Sequence, residues 1–275
     1  MNSHLLRRDF VLGTAAGMLY GAGRAWCLED KKPTFTAAQA FQAIAAGKKL
    51  PVILDTDIGD DIDDTWALCM LLKSPELDLR LVVGDDYNAI YRAKLIAKLL
   101  QTASRTDVPV GIGLRPDDRP GRQTAWVRDY DLASYPGKVH EDGVQAIVDT
   151  IRGSSEPVTL ICIGPVPNIA EALKRAPDIA ENARFVGMHG SIYKGYGGSE
   201  QISAEYNVKQ APAALQAVFR APWEITLTPL DTCGLVRLQG DKFRRVHDCP
   251  DPLIRALMEN YQHWREAGER RELPP

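Results

Sequence analysis

A chain of 275 residues with 45% hydrophobic residues and a formal net charge of -3 is long enough for one large α/β domain. Its isoelectric point near 6.0 and the lack of a concentrated basic patch argue against a nucleic-acid partner. Beyond the N-terminal segment, no run reaches the ~20 apolar residues that cross a bilayer, so we expect no stable membrane insertion after processing.

The N-terminus has the features of an export signal. Arg7 and Arg8 precede Asp9 and Phe10, and a small and apolar run follows over residues 13–23. This order is typical of a twin-arginine signal and predicts export to the periplasm, whereas a signal-anchor or a loose tail is the alternative. The predicted signal segment, a linker with an N-terminal helix, and one folded domain occupy residues 1–28, 29–48 and 49–275.

A buried strand, an acidic turn and a helix come next. Residues 52–54 are apolar, as in a buried strand, and the apolar residues of 67–72 recur at helical spacing. The turn between them holds six carboxylates: Asp55, Asp57, Asp60, Asp61, Asp63 and Asp64. Two carboxylates about 4 Å apart repel by roughly 4 kcal/mol at an effective dielectric of about 20. No Lys or Arg lies between Lys49 and Lys73 to offset this repulsion, so we predict a bound cation.

The ligand types in this turn indicate which cation it binds. Oxygen ligands alone favour Ca2+ or Mg2+ over Zn2+, and we predict Ca2+ as the cofactor. An EF-hand loop does not fit, because its glycine would fall on Asp60 and its closing Glu on Trp66. The alternative to a metal site is an acidic helix N-terminus stabilised by the helix dipole, which would explain Asp63 and Asp64 alone.

Residues 55–68 resemble the signature of the inosine-uridine type nucleoside hydrolases, an Asp-x-Asp-x-Gly turn that leads into Asp-Asp-x-x-Ala-Leu. The shorter family form has one residue between the Gly and the Asp pair, whereas Asp60, Asp61 and Ile62 intervene here. The resemblance implies a doubly wound, mostly parallel, Rossmann-like α/β sheet and a calcium-dependent N-ribohydrolase. It also implies that Asp57 is the catalytic base and a metal ligand. Asp64 would be a second metal ligand, with Asp61 as an alternative ligand, and Asp63 would bind the sugar.

The next strand is predicted over residues 79–83 and ends just before Asp85. The family has a Val-Gly-Asn here that contacts the sugar, which implies that Asp85 binds substrate. An Asp can accept a hydrogen bond from a ribose hydroxyl but, when ionised, cannot donate one as an amide does. A helix over 90–102 and a strand within 107–113 follow. Residues 115–135 have no period, and both a mobile lid and a plain surface loop are open interpretations.

A second match to the family follows a predicted helix over 144–152 and a buried strand over 157–163. Residues 164–170 read Gly-Pro-Val-Pro-Asn-Ile-Ala. They resemble the family's Gly-Pro-Leu-Thr-Asn-Ile-Ala, in which the Thr carbonyl binds calcium. Pro167 occupies that position and keeps its backbone carbonyl, so the resemblance implies a metal ligand there.

A third match is the sequence Ala-Glu-Tyr-Asn at residues 204–207. It resembles the family's Ala-Glu-Phe-Asn, whose Glu and Asn hold the ribose hydroxyls, and this implies that Glu205 and Asn207 bind substrate. Met188, at the end of the preceding predicted strand, is assigned to the same role. His189 is either a site residue or a strand-end histidine bonded to the backbone.

The C-terminal part departs from the family pattern. A last strand is predicted over 222–228, and Asp231 is expected to cap or turn the loop after it. His247 and Asp248 are similar to the family's closing His-Asp pair, but the segment from Asp251 resembles the one that precedes that pair. We therefore expect this sequence to lack the family's closing metal ligand and last elements.

Together, these matches predict hydrolysis of the N-glycosidic bond of a ribonucleoside or related N-riboside by a Ca2+-activated water, with Asp57 as the base. The implied partner is that small molecule, and a homo-oligomer stays open. One alternative is an inactive or sugar-binding truncated relative. Another is a haloacid dehalogenase-type phosphatase, because Asp55-Thr56-Asp57 is similar to its Asp-x-Asp motif, although Gly59 stands where that motif has Thr or Val.

Overall fold

The computed structural model describes residues 33–115 and 117–268, and the predicted signal segment lies outside them. Within the described residues, seven strands form one sheet in the order β4-β3-β2-β1-β5-β6-β7, and every neighbouring pair is parallel. The strands are β1 (Leu50–Thr56), β2 (Leu77–Gly84), β3 (Val110–Ile112), β4 (Val139–His140), β5 (Val158–Cys162), β6 (Ala183–Gly187) and β7 (Ile225–Leu227).

Helices alternate with these strands along the chain. In the described ranges the α-helices are α1 (Ala37–Ala45), α2 (Asp63–Leu72), α3 (Ala89–Thr102), α4 (Gly143–Gly153), α5 (Pro167–Arg175), α6 (Tyr206–Gln210), α7 (Pro212–Arg220), α8 (Gly240–His247) and α9 (Pro252–Ala267). None of the helices in these ranges has the length and apolarity to cross a membrane.

The order of the strands reverses direction at β1. β2, β3 and β4 extend the sheet on one side of β1, whereas β5, β6 and β7 extend it on the other. In open parallel α/β sheets, such a switch point opens a crevice at the carboxyl ends of the strands. The predicted doubly wound α/β fold is therefore confirmed, and a binding site is expected where β1, β2, β5 and β6 end.

Successive residues of β1 pack on opposite faces of the sheet. Leu54 belongs to an apolar core that includes Leu68 of α2 and Leu257 of α9. Ile53 belongs to a second core, which includes Ile169 of α5. Because side chains alternate between the faces of a strand, the uninterrupted apolar run of β1 is buried in both layers. This packing fixes β1, and with it the acidic turn that follows, at the centre of the sheet.

Most elements lie within a few residues of their predicted bounds. α3 begins at Ala89, one residue before the predicted start, but the strand predicted within 107–113 is limited to β3. α1 lies in the predicted linker, and the side chain of Thr36 accepts a hydrogen bond from the backbone N–H of Gln39 in a capping box. Local sequence signals were thus sufficient to locate the elements that carry the site.

The aperiodic segment predicted over 115–135 is packed onto the domain in its second half. Trp126 and Tyr135 are buried. The ammonium of Lys98 donates to the Trp126 carbonyl at 2.5 Å and lies 4.0 Å from the centroid of the Trp126 ring. The Tyr135 hydroxyl donates to the Val108 carbonyl at 2.7 Å. These contacts anchor that half as a surface loop, and the lid function stays a prediction.

Candidate active site

The carboxyl ends of β1 and β2 and the start of α2 bring the predicted acidic residues together. Asp57 follows β1, Asp64 lies in the first turn of α2, and Asp85 follows β2, all of them buried. The Thr56 hydroxyl donates to Asp64 Oδ1 at 2.5 Å, which ties the helix start to the strand end. The same strand-to-helix connection therefore presents both Asp57 and Asp64 at the edge of the sheet.

The acidic turn makes one close approach that only glycine allows. Gly59 has a φ of +121°, and a Cβ there would lie 2.5 Å from Cε1 of Tyr91. The Tyr91 hydroxyl donates to the Gly59 carbonyl at 2.8 Å and accepts from the Gln123 N–H at 3.0 Å. The Tyr91 hydroxyl therefore connects the acidic turn to α3 and to the backbone at Gln123.

Arg92 of α3 supports the turn from beneath. Its side chain is only 1% exposed, and its guanidinium donates to the carbonyls of Asp57 and Ile58, the latter at 2.8 Å. It also lies 3.4 Å from Asp60 Oδ2 and 3.8 Å from Asp86 Oδ2. A buried guanidinium that meets carbonyls and carboxylates at once holds the backbone of the acidic turn and offsets part of its negative charge.

Asn168, in the first turn of α5, connects three strand ends. Its amide N–H groups donate to Asp55 Oδ1 at 2.9 Å and to the Gly84 carbonyl at 3.2 Å, and its oxygen accepts from Leu114 N–H at 2.9 Å. The side chain is fully buried. Asn168 thereby joins β1, β2 and the loop after β3, which explains an Asn at this position of the Gly-Pro-Val-Pro-Asn motif.

Burial and neighbouring charges together raise the pKa values of the acidic side chains. Burial raises the pKa of Asp57 to about 7, with Arg92 opposing the shift and Asp86, Asp63 and Asp60 adding to it. Burial, followed by the charges of Asp57 and Asp63, raises the pKa of Asp64 well above its usual value. Burial and the charge of Asp61 also raise the pKa of Asp63. In the absence of a cation, these carboxylates resist carrying their full negative charge.

The loop after β6 brings the third motif to the same edge. Glu205 accepts from the backbone N–H groups of Gly190, Asn207 and Val208 at 2.8–3.1 Å and so caps α6. Asn207 donates through Nδ2 to the carbonyls of Ile163 and Met188, both at 3.0 Å. Because both amide hydrogens are directed at the backbone, the Asn207 carbonyl oxygen remains available to accept a hydrogen bond.

Asp231 also fixes this loop, although the sequence predicted that it caps or turns the loop after the last strand. Its carboxylate accepts from the backbone N–H groups of Ile192, Tyr193 and Lys194 at 2.6–3.1 Å. These bonds hold the pKa of Asp231 below its usual value. Asp231 therefore acts on the loop between β6 and α6 across the end of the sheet.

One cavity of about 460 Å3 connects these groups. Seven of the predicted site residues line it: Asp57, Asp61, Asp63, Asp64, Met188, Glu205 and Asn207. Asp60, Tyr87, Tyr196, Tyr206 and Arg122 are also part of its wall. A volume of this size accommodates a small molecule, and its lining combines carboxylates with aromatic rings.

Comparison with known proteins shows the family of this chain. A family model described as inosine-uridine preferring nucleoside hydrolase matches residues 52–275. The chain belongs to this family. It is 34% identical over 203 residues to the non-specific ribonucleoside hydrolase RihC of Klebsiella pneumoniae subsp. pneumoniae, covering 70% of this chain and 65% of the relative. It is 34% identical over 207 residues to RihC of Salmonella paratyphi B, covering 72% and 66%. The chain thus spans just under two thirds of the length of these curated relatives.

Solved structures of nucleoside hydrolases share the fold. A plant nucleoside hydrolase superposes with a TM-score of 0.67 at 21% identity, covering 79% of this chain and 71% of that one. The inosine-uridine preferring nucleoside hydrolase of Bacillus anthracis superposes with a TM-score of 0.63 at 22% identity, covering 78% and 76%. At these identities the likeness confirms the architecture alone.

Nucleoside hydrolases of this family bind a metal ion, and the acidic turn has the donor chemistry to hold one. Its groups are oxygen donors, and the charge of Asp57 adds to the raised pKa of Asp64. Behind the turn, Asp55 Oδ2 and Asp85 Oδ2 are buried without a hydrogen-bond partner. Within the described ranges, no group of three His, Cys, Asp or Glu side chains is already arranged to hold a metal ion. The carboxylates of Asp57 and Asp64 therefore fit a hard cation whose remaining ligands are carbonyls and water.

Two of the predicted residues lie away from the cavity wall. Asp85 is fully buried, accepts from the Asp86 N–H at 2.7 Å and lies against Asp55; burial and Asp55 raise its pKa well above the usual value. A protonated Asp85 can donate a hydrogen bond, which an ionised one cannot. Pro167 is the first residue of α5 and lies three residues after Gly164, where an added Cβ would come within 2.8 Å of Asp57. Their roles as substrate and metal ligands stay predictions.

Asp61, the alternative metal ligand, is an exposed member of the acidic turn. Its side chain is 75% exposed and accepts from Arg122 Nη1 at 3.0 Å. Arg122 also lies over the ring of Trp264 in α9, 4.8 Å from its centroid. Asp61 therefore lines the mouth of the cavity and is already paired with a guanidinium.

His189 has the second of its two predicted roles, that of a strand-end histidine bonded to the backbone. Its Nε2 is 3.2 Å from the Gly164 carbonyl, and burial lowers its pKa to about 4. It is not part of the cavity wall. A neutral, buried histidine bonded to the backbone supports the loop after β5 instead of taking part in proton transfer.

One alternative from the sequence, the phosphatase, is resolved by these findings. Asp55 would be the nucleophile of a haloacid dehalogenase-type phosphatase, but it is fully buried and bonded to Asn168. The family match also contradicts that alternative, which is therefore wrong.

The sequence analysis did not identify Arg92 and Tyr87 as residues of the site. A signal for Arg92 existed, because it lies three and four residues from Leu95 and Ile96 on the apolar face of α3.

Proposed function

We propose that this protein hydrolyses the N-glycosidic bond of a ribonucleoside or a related N-riboside. The observation that carries the proposal is that Asp57, Asp64, Glu205 and Asn207 line one cavity at the switch point of the sheet. The family to which the chain belongs and the names of its curated relatives support the same reaction. Because the chain spans just under two thirds of those relatives, its own activity has to be measured.

Ca2+ is the metal that we propose for this site. Asp57, Asp64 and the Pro167 carbonyl would hold it, with Asp61 as the alternative ligand, because hard oxygen donors in a flexible arrangement suit Ca2+. When bound, the ion would lower the pKa of a water molecule. Burial by itself opposes the ionisation of Asp57 and Asp64, and the positive charge of the ion would favour their ionised forms.

The side chains around the cavity would have different roles in the proposed reaction. Asp57 would accept the proton of the attacking water as its oxygen bonds to the anomeric carbon of the ribose. Asp63, Glu205 and Asn207 would accept hydrogen bonds from the sugar hydroxyls and orient the ring, with Met188 packed beside it. As the bond to the base breaks, positive charge grows on the ring oxygen, and the surrounding carboxylates would stabilise it.

The test is reducing-sugar release from a panel of nucleosides, with added Ca2+ or with a chelator. We expect release from at least one N-riboside in Ca2+ and its loss in the chelator. Release that the chelator leaves unchanged would contradict the role of the metal. No release from any N-riboside would favour the inactive or sugar-binding alternative.

We also propose that Arg7 and Arg8 direct export through the twin-arginine route to the periplasm. Replacing both by Lys keeps the charge but is expected to leave a reporter fusion in the cytoplasm. Cell fractionation measures the outcome, with Arg24→Lys as a matched control that lies outside the Arg-Arg pair. A periplasmic signal of equal strength from the double variant would refute the assignment.

A further inference from the structure

The longer acidic turn adds a carboxylate to a wall of the cavity that is otherwise aromatic. The Tyr87 hydroxyl donates to Asp60 Oδ2 at 2.5 Å and lies 3.0 Å from the Tyr206 hydroxyl. Tyr206 in turn donates to Asp86 Oδ2 at 3.3 Å. Asp60, Tyr87 and Tyr206 all line the cavity, and we call these three residues the tyrosine–carboxylate wall.

The hydrogen bonds of the tyrosine–carboxylate wall are directed away from a ligand. Each phenol has one proton. The proton of Tyr87 is given to Asp60, and the proton of Tyr206 is given either to Asp86 or to the oxygen of Tyr87. Toward the cavity, the wall therefore offers lone pairs, ring surfaces and the negative charge of Asp60.

The charges around the cavity reinforce this polarity. Six of the described residues that line it carry carboxylates: Asp57, Asp60, Asp61, Asp63, Asp64 and Glu205. Arg122 contributes one guanidinium to the lining, Arg92 a second one beneath it and Arg119 a third one over the Tyr87 ring. With the two charges of a bound Ca2+ added, the carboxylates still outnumber the positive charges. The field in the cavity thus favours a cation over a neutral molecule of the same shape.

A cation already sits on the aromatic part of this wall. The guanidinium of Arg119 lies 3.7 Å from the centroid of the Tyr87 ring, and that of Arg92 lies 5.1 Å from it. The Tyr87 ring thus already attracts cations, and the rings of Tyr196 and Tyr206, which also line the cavity, are the aromatic surfaces left for a ligand. Planar cationic rings, which combine stacking with charge, match these surfaces best.

We propose that the preferred substrates are N-ribosides whose base carries a positive charge, such as N-ribosyl pyridinium or N7-alkylpurinium compounds. This inference rests on the proposed function and specifies its substrate class. In the reaction, the water oxygen bonds to the anomeric carbon and its proton passes to Asp57. The electron pair of the carbon–nitrogen bond goes to the ring nitrogen and cancels its charge. The base departs neutral, so the wall does not have to supply a proton.

The first experiment compares matched substrates on the full chain in Ca2+. Nicotinamide riboside and N-ribosyl pyridinium are the cationic probes, and inosine is the neutral one. We expect kcat/KM, divided by the uncatalysed rate of each compound, to favour the cations by about tenfold. This preference should shrink as ionic strength rises, because salt screens the charges at the open end of the cavity. An equal ratio for cationic and neutral ribosides, or one that salt does not change, would overturn the proposal.

The variant Asp60→Asn tests the wall itself. It is expected to raise KM for the cationic probes by about tenfold and to leave KM for inosine nearly unchanged. Asp178→Asn is the matched control, because Asp178 is a half-exposed carboxylate paired with Arg152 away from the cavity. Equal KM changes for both kinds of substrate would indicate a merely structural role for Asp60. Thermal melting of the variant shows whether it is folded.

A binding measurement separates this inference from the proposed function. Calorimetry on the full chain in Ca2+ would compare the N-methylnicotinamide cation with neutral nicotinamide. If no riboside is hydrolysed but the cation binds at least about tenfold more tightly, the proposed function fails and the cation-selective cavity stands. If neither binds, or both bind equally, the inference is wrong whatever the hydrolysis assay shows.

Discussion

Replacing Asp57 by Asn is expected to lower kcat for N-riboside hydrolysis by roughly 10²–10⁴-fold, the usual contribution of a general base. Asn has nearly the same shape but accepts no proton from the attacking water. The same change removes one of the two buried carboxylates proposed to bind Ca2+. Initial rates of reducing-sugar release, measured at saturating nucleoside, report the loss.

Metal binding by the same variant has an independent readout. At a Ca2+ concentration of about 100 times Kd, linkage stabilises the parent by ~2.7 kcal/mol, or roughly 5–10 °C in Tm for a domain of this size. This rise should disappear in the Asp57→Asn/Asp64→Asn pair and persist in the control Asp178→Asn. Because burial already opposes the charge of Asp57, the variant should not melt below the parent without metal. An equal Ca2+-dependent rise in both proteins would contradict the assignment of the ligands.

Replacing Arg92 by Met is expected to destabilise the protein by about 3–5 kcal/mol. The side chain is buried, and its loss leaves the Asp57 and Ile58 carbonyls without their donor and Asp60 and Asp86 without their nearest cation. Met fills a similar volume, so the change tests charge and hydrogen bonding more than packing. Urea denaturation at neutral pH gives the difference in free energy of unfolding.

Arg80→Met provides the matched control for this change. Arg80 pairs with Asp78 at 2.5 Å, but its side chain is 55% exposed, and surface pairs of this kind contribute about 1 kcal/mol or less. If Arg92→Met costs no more than Arg80→Met, the guanidinium beneath the acidic turn is not what holds it. A loss of Ca2+-dependent stabilisation in a folded Arg92→Lys variant would show that the fork geometry positions the turn.

The sequence was sufficient to predict the fold and the order of the site motifs. The apolar run of β1, the carboxylates after it and the Ala-Glu-Tyr-Asn segment are local patterns, and each lies at the strand or helix end where it was expected. Parallel strands bring their carboxyl ends to one edge, so residues as distant in sequence as Asp57 and Glu205 could be assigned to one site. The cavity contains both of them.

Only the tertiary structure decided which side chains face the cavity and what lies behind them. Asp85 and Asp57 both follow strands, yet Asp85 is sealed in the core and Asp57 lines the cavity. Tyr87 and Tyr206 are 119 positions apart, and no local pattern relates their hydroxyls. The physical reason is that helical and strand periodicity arise from neighbours along the chain, whereas the direction of a strand-end side chain depends on elements that pack from elsewhere. The sequence by itself determined the chemistry of this edge, and packing of distant elements determined its geometry.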